Sequence, residues 1–211
     1  MNHFTRKDID EMEKIFRINL INSVSGIKPG NLIGTQTNEG NLNLAIFSSV
    51  LHLGSNPPYL GFICRPNEKV KRDTYDNILS TGYYTINHIQ ESFVENAHFT
   101  SAKFEPHVSE FERCSLTPEF KDEFPAPFVM ESKIKLGLKF VEEIPIKING
   151  TKMIIGEIVH LFVDKEIVDD KGNIRLDLVS NIGIAGLNSY YKISKIKEYP
   201  YARPHELPTF S

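Results

Sequence analysis

Apolar Ile9, Met12, Ile15 and Phe16 follow Thr5 and Asp8 at three- and four-residue spacings, which predicts a capped amphipathic helix over about 5–20, laid against the rest of the fold. From Asn31 the period shortens. Segments 31–37 and 42–50 are β-prone and joined by Asn38, Glu39 and Gly40, the chemistry of a hairpin. Pro57 and Pro58 close the next loop, and the apolar run 59–64 has the character of a buried strand. Residues 70–80 have helical spacing with Gly82 as a stop, 83–89 alternate as a strand, and 90–100 return as a helix. Pro106, Pro118, Pro125 and Pro127 mark turns in a loop-rich middle. Two long strand-like stretches, 133–148 and 151–163, then hinge on Asn149-Gly150, the dipeptide best suited to a type I′ turn. The tail from Asn188 carries Tyr190, Tyr191, Tyr199 and Tyr201 among lysines and prolines and is expected to wrap a neighbouring surface. The pattern predicts one domain over 1–211, a mainly β chain with inserted helices folded as a decorated barrel, with a C-terminal extension over about 188–211.

Composition narrows the functional classes. With 24 basic and 27 acidic residues the chain carries a formal charge of -3, so no general attraction to nucleic acid or anionic lipid is expected. Cys64 and Cys114 stand fifty positions apart, which supports neither a disulfide framework nor a thiolate zinc knuckle. The charged amino terminus lacks the apolar core of a secretory signal, and the most apolar stretch, 153–163, is interrupted by Glu157 and His160. A membrane span needs about 20 apolar residues. A cytoplasmic protein without a membrane partner is the expectation.

Candidate chemistry concentrates in 64–77. Arg65, Lys69, Lys71 and Arg72 fall within eight residues where a buried strand gives way to a helix. A helix start leaves free amide groups and a partial positive charge, so the arrangement suits a phosphate. Arg65 can clamp it with a planar fork, while Lys71 or Arg72 adds charge. Thr74 and Asn77, and likewise Asp73 and Asn77, are spaced to share a helix face. The alternative is that Lys71 and Arg72 are solvated and that Asp73 or Thr74 merely caps the helix. On the preceding strand, alternation places Asn43, Ala45, Phe47 and Ser49 on one side, where a flat heteroaromatic ligand could lie; an ordinary mixed strand face is the alternative.

At these two segments the sequence resembles the flavin reductase-like family with its FMN-binding split β-barrel of Greek-key type. The shared pattern is Asn43-Leu44-Ala45-Ile46-Phe47-Ser48, then Pro57-Pro58, Arg65, and Arg72-Asp73-Thr74-Tyr75-Asp76-Asn77-Ile78. Thr81-Gly82, Ile86-Asn87, Thr100-Ser101, Phe104 with Pro106, Ser109-Glu110-Phe111-Glu112 and Gly156-Glu157-Ile158-Val159-His160 extend it over roughly 15–200. The resemblance implies that Asn43, Ala45, Phe47, Ser48 and Ser49 line the isoalloxazine and ribityl chain of FMN. It implies that Arg65, Arg72, Asp73, Thr74 and Asn77 hold the phosphate end, with Ser101 as a further contact, and that the chain is a homodimer. Two segments depart from the family pattern. Lys28-Pro29-Gly30-Asn31 replaces a Pro-Arg-Pro-Ile turn, and Asn181–Leu187 lacks the family arginine, which leaves the second substrate open.

Other constellations carry less. The seven histidines form no His-x-x-x-His pair, so no metal site is expected. His160 could reach the flavin or a dimer seam, or simply be a satisfied strand histidine. Cys64 beside Arg65 could be an activated thiol, although a small buried strand residue explains it more simply. No Rossmann or phosphate-loop glycine pattern occurs. The resemblance therefore implies an oxidoreductase passing electrons from NADH or NADPH through FMN to an unidentified small-molecule acceptor, with no catalytic side chain named because flavin carries the chemistry. A non-catalytic FMN carrier requires the same pocket, and a barrel relative holding haem or pyridoxal phosphate is a third class.

Overall fold

A computed structural model describes residues 1–67, 70–105 and 108–209; Lys69, Pro106 and His107, used in the sequence reading, lie outside the described residues. The amino terminus forms two helices instead of one, α1 (Arg6–Glu11) and α2 (Lys14–Ser23). Thr5 and Asp8 make the predicted capping box for α1. The break arises because the Glu13 carboxylate accepts the amides of Ile15 and Phe16, starting a second helix where the first would have continued. Neither helix fully buries a residue, and Ile9, Met12, Ile18 and Leu20 are half-buried.

The strands that follow are β1 (Lys28–Pro29), β2 (Asn31–Gln36), β3 (Leu42–Phe47), β4 (Leu51–Ser55) and β5 (Pro58–Cys64). Then come α3 (Asp73–Thr81), β6 (Tyr83–His88), α4 (Val94–Phe99), α5 (Glu110–Arg113), β7 (Pro118–Glu119), β8 (Phe128–Val129), β9 (Ile134–Ile146), β10 (Thr151–Val163), β11 (Ile182–Ala185) and β12 (Ser189–Lys192). The principal sheet has seven antiparallel strands in the order β3-β2-β6-β9-β10-β5-β4. Non-consecutive neighbours, β2 beside β6 and β5 beside β10, make this a Greek-key arrangement and not a simple meander. The sheet curls until Ser49, just past β3, meets β5: its hydroxyl donates to Ile63 O at 3.3 Å and accepts from Ile63 N at 3.1 Å. The chain is thus a mainly β split barrel.

Gly82 ends α3 as predicted, in the left-handed region at φ 77°. The β9–β10 hairpin is also present, but its turn is longer than the two-residue I′ form. The strands stop at Ile146 and Thr151, only Gly150 has positive φ, and Asn149 Oδ1 instead accepts from Thr151 N at 3.0 Å. Asn149 N and Gly150 N both donate to Ile146 O and close the turn, the asparagine side chain braces its exit, and a left-handed asparagine is not needed. Segment 42–50 is strand only as far as Phe47 and then bends into β4, which, like 182–185, is unassigned from sequence; 182–185 is a fully buried strand between β1 and β12.

Two apolar cores share β2, which is buried on both faces. Ile33 packs with Phe62, Ile78, Tyr84, Ile86, Leu138 and Ile154 inside the barrel. Leu32 packs outward with Leu44, Ile89, Phe93, Phe111, Ile182 and Ile184. Ile78, fully buried, fastens α3 across the barrel and so fixes where that helix begins. Burial of such a side chain stabilises by about 1.5–3 kcal/mol.

Candidate anion corner and strand face

β5 ends at Cys64 and α3 begins at Asp73, so Arg65, Lys71 and Arg72 all belong to the intervening turn and not to the helix predicted over 70–80. Arg72 occupies the N-cap position at φ −126°, ψ 85°, and no side chain caps the helix. Asp73 and Thr74, weighed above as caps, are instead its first two helical residues. The first ladder bond runs from Asp76 N to Arg72 O at 3.0 Å. The amides of Asp73, Thr74 and Tyr75 therefore have no acceptor within the helix, and the positive end of its dipole stays open. Arg65 is exposed, and Arg72 is half-buried with its Nε 3.5 Å from Pro66 O. Lys71 pairs with Asp73 at 2.5 Å on the surface, an exposed pair that a more highly charged anion can displace at little cost.

The predicted polar helix face turns inward. Asn43 Nδ2 donates to Thr35 Oγ1 and to Thr74 Oγ1, each at 3.0 Å, and Asn77 Nδ2 donates to the same Thr35 oxygen at 3.1 Å. Thr35, Thr74 and Asn77 are buried. These four side chains bind α3 to β2 and β3, while Asp73, expected beside Asn77, is exposed. Ala45 lies opposite Ile33, and the Phe47 ring meets Phe62 edge-on at 5.0 Å. Asn43, Ala45 and Phe47 thus share the barrel-facing side of β3, and Ser48 and Ser49 continue the chain toward β5. Ser101 stands apart at the end of α4, its hydroxyl on His98 O at 2.8 Å. Among the described residues no hydrogen bond joins it to α3 or to the turn.

The strand edge has a partner that sequence pattern did not single out. Glu110 Oε2 accepts Leu44 N at 3.0 Å, and burial pushes its carboxyl above the ordinary value while this bond and nearby Asp73 modify the effect. A second set, Asn67, Tyr75, Glu143 and Lys152, surrounds the turn. Nothing in local spacing marked them, because strand register alone brings them together. Burial pushes the Cys64 thiol up, opposite to an activated nucleophile. His160 stacks on Phe162 at 5.9 Å and meets Phe124 edge-on at 5.4 Å, within an aromatic patch. Among the described residues there is no cluster of His, Cys, Asp and Glu able to hold a metal, and no helix long and apolar enough to cross a membrane.

A family model for the flavin reductase like domain matches residues 27–177. The chain belongs to the flavin reductase-like family. It is 47% identical to a split-barrel protein of Shewanella frigidimarina, provisionally assigned as a flavin reductase, at TM-score 0.91 over 96% of this chain and 100% of that one. Nitrilotriacetate monooxygenase component B of Bacillus cereus shares the fold, with 23% identity and TM-score 0.81 over 94% and 98% of the two chains. A curated relative from Aquifex aeolicus of uncharacterised function is 29% identical over 166 residues, 78% of this chain and 84% of that one. Membership in the flavin reductase-like family supports flavin-dependent oxidoreductase chemistry.

Proposed function

We propose that this member of the flavin reductase-like family binds FMN and passes electrons from NADH or NADPH through it to a small-molecule acceptor. The observation that carries the reading is the uncapped start of α3, whose N-cap is Arg72 and which follows a turn that opens on Arg65. Three orphan amides, a helix dipole and two guanidinium groups offer a terminal phosphate the positive charge and the donors it needs. When bound, FMN supplies the redox chemistry, taking up hydride from reduced nicotinamide and delivering electrons onward.

The chain's own residues bind and orient. Arg65 and Arg72 hold the phosphate, with Lys71, Asp73 and Thr74 at its margin. The barrel side of β3, Asn43, Ala45 and Phe47, with Ser48 and Ser49, lies along the ribityl chain and ring, and Asn77 keeps Asn43 and Thr74 in place through Thr35. Ser101 is the outermost contact. The working unit is a cytoplasmic homodimer of one domain spanning 1–211; α1 and α2, which fully bury no residue, and exposed Ile15, Phe16 and Val24 supply an apolar surface for the second copy.

Anaerobic addition of NADH or NADPH to the FMN-loaded protein tests the reading. Bleaching of flavin absorbance with saturable dependence on nucleotide is the expected result. Tight FMN binding with no bleaching by either nucleotide would make the chain a flavin carrier and overturn the reductase assignment. Failure to bind FMN at all would overturn both.

A further inference from the structure

Lys152 lies near the start of β10, directly opposite Cys64 on β5 and Pro145 on β9. Its ammonium donates to Asn67 Oδ1 at 3.0 Å and to Tyr75 Oη at 2.8 Å, and sits 4.0 Å from the Tyr75 ring centre. The Tyr75 hydroxyl donates in turn to Glu143 Oε2 at 2.6 Å, and Glu143 Oε1 is 3.9 Å from the ammonium. Tyrosine thus both donates and accepts, and the cation stands beside a carboxylate, so the polar groups of this half-buried cluster are mutually satisfied.

The placement matters because of what lies between the two anchor points. Asn67 comes two residues after Arg65, and Tyr75 three after Arg72. The described residues between β5 and α3, 65–67 and 70–72, belong to neither strand nor helix, so side-chain contacts help to place the two arginines. One ammonium on β10 holds Asn67, just after Arg65, and Tyr75, in the first turn of α3 just after Arg72. A loop ordered in advance loses less conformational entropy when its ligand arrives, and rigid elements position a site better than loops do.

We propose that Lys152 is a positioning residue that fixes the spacing of Arg65 and Arg72 through Asn67 and Tyr75, and so makes this corner selective for a flavin ending in a phosphate. The inference rests on the FMN reading above. Its test compares FMN with riboflavin, which shares the ring and ribityl chain but lacks the phosphate. The purified full chain freed of flavin is titrated with each, as wild type and as Lys152→Met, Lys152→Arg, Asn67→Ala and Arg72→Ala. In Lys152→Met and Asn67→Ala the FMN dissociation constant is expected to rise about tenfold, with riboflavin changing by less than about twofold. Lys152→Arg restores part of the loss.

General damage to the fold would weaken both flavins together. An unchanged ratio of the two affinities in Lys152→Met or Asn67→Ala, with a selective FMN loss in Arg72→Ala, overturns the positioning role and leaves the phosphate corner standing. No selectivity in Arg72→Ala overturns the phosphate corner and the positioning role with it. If Lys152→Met does not fold, Asn67→Ala decides alone.

Discussion

The carboxylate of Glu110 accepts the backbone amide of Leu44 at 3.0 Å, which satisfies a donor on an edge strand of the principal sheet. An unpaired amide there would invite pairing with another chain or lose a buried bond. Glu110→Ala should destabilise by about 1–3 kcal/mol, while Glu110→Gln, which keeps an acceptor, should lose less. Urea unfolding of the three proteins checks this; equal stability of Glu110→Ala and wild type would show that the edge needs no cover.

His88 and Asn181 give the fold a pH dependence. His88 Nδ1 accepts from Asn181 Nδ2 at 2.8 Å, and Asn181 Oδ1 is already occupied by Gln90 Nε2 at 2.6 Å, so the amide is locked in orientation. Burial lowers the His88 pKa from 6.5 to about 4. Between these values the unfolded chain takes up a proton that the folded chain refuses. Stability present above pH 6.5 is therefore lost as the pH falls toward 4, by up to about 3 kcal/mol. Thermal melts from pH 7.5 to 4 should show this loss, and His88→Gln should flatten it. A His88→Gln profile parallel to wild type would assign the loss elsewhere.

Removing either guanidinium should weaken FMN through a lost charged hydrogen bond. For Arg65→Ala or Arg72→Ala we expect a cost of about 1.5–3 kcal/mol in binding, measured by fluorescence titration, with unchanged melting of the flavin-free protein. Unchanged affinity in both variants would place the phosphate elsewhere.

Tyr84 is fully buried and, among the described residues, its hydroxyl finds no partner. Tyr84→Phe should therefore be neutral or raise stability by about 1 kcal/mol. The hydroxyl sits where a β-carbon on Gly156 would fall, at 2.2 Å, with the ring carbons at 2.9 and 3.0 Å. Gly156→Ala should then cost about 1–3 kcal/mol, and Tyr84→Phe should recover only part of it, since the ring remains. Full additivity in a double-mutant cycle would mean that the two do not meet.

Local pattern carried far in this chain. The Gly82 stop, the Thr5–Asp8 box and the long hairpin strands depend on residues a few positions apart, and the structure has them. Those features follow from backbone geometry and short-range hydrogen bonding. The amino-terminal segment was misread because a carboxylate at Glu13 competes for the very amides a continuous helix would use, which amphipathic spacing does not register. The strand at 182–185 is not legible in the sequence because it is four residues long and interrupted by Gly183, and its position between β1 and β12 makes it a strand.

By itself the sequence determined the first hairpin, the stop of α3, the long β9–β10 strands, the cluster of cations at one strand-to-helix turn, and membership in the flavin reductase-like family. Tertiary structure alone decided which way those residues face. Asn77 and Thr74 turn into the barrel because Ile78 pins α3 there, and Lys152 reaches Asn67 and Tyr75 only because antiparallel register sets it across from Cys64. Such contacts join residues many tens of positions apart, and no local period encodes the register that brings them within hydrogen-bonding distance.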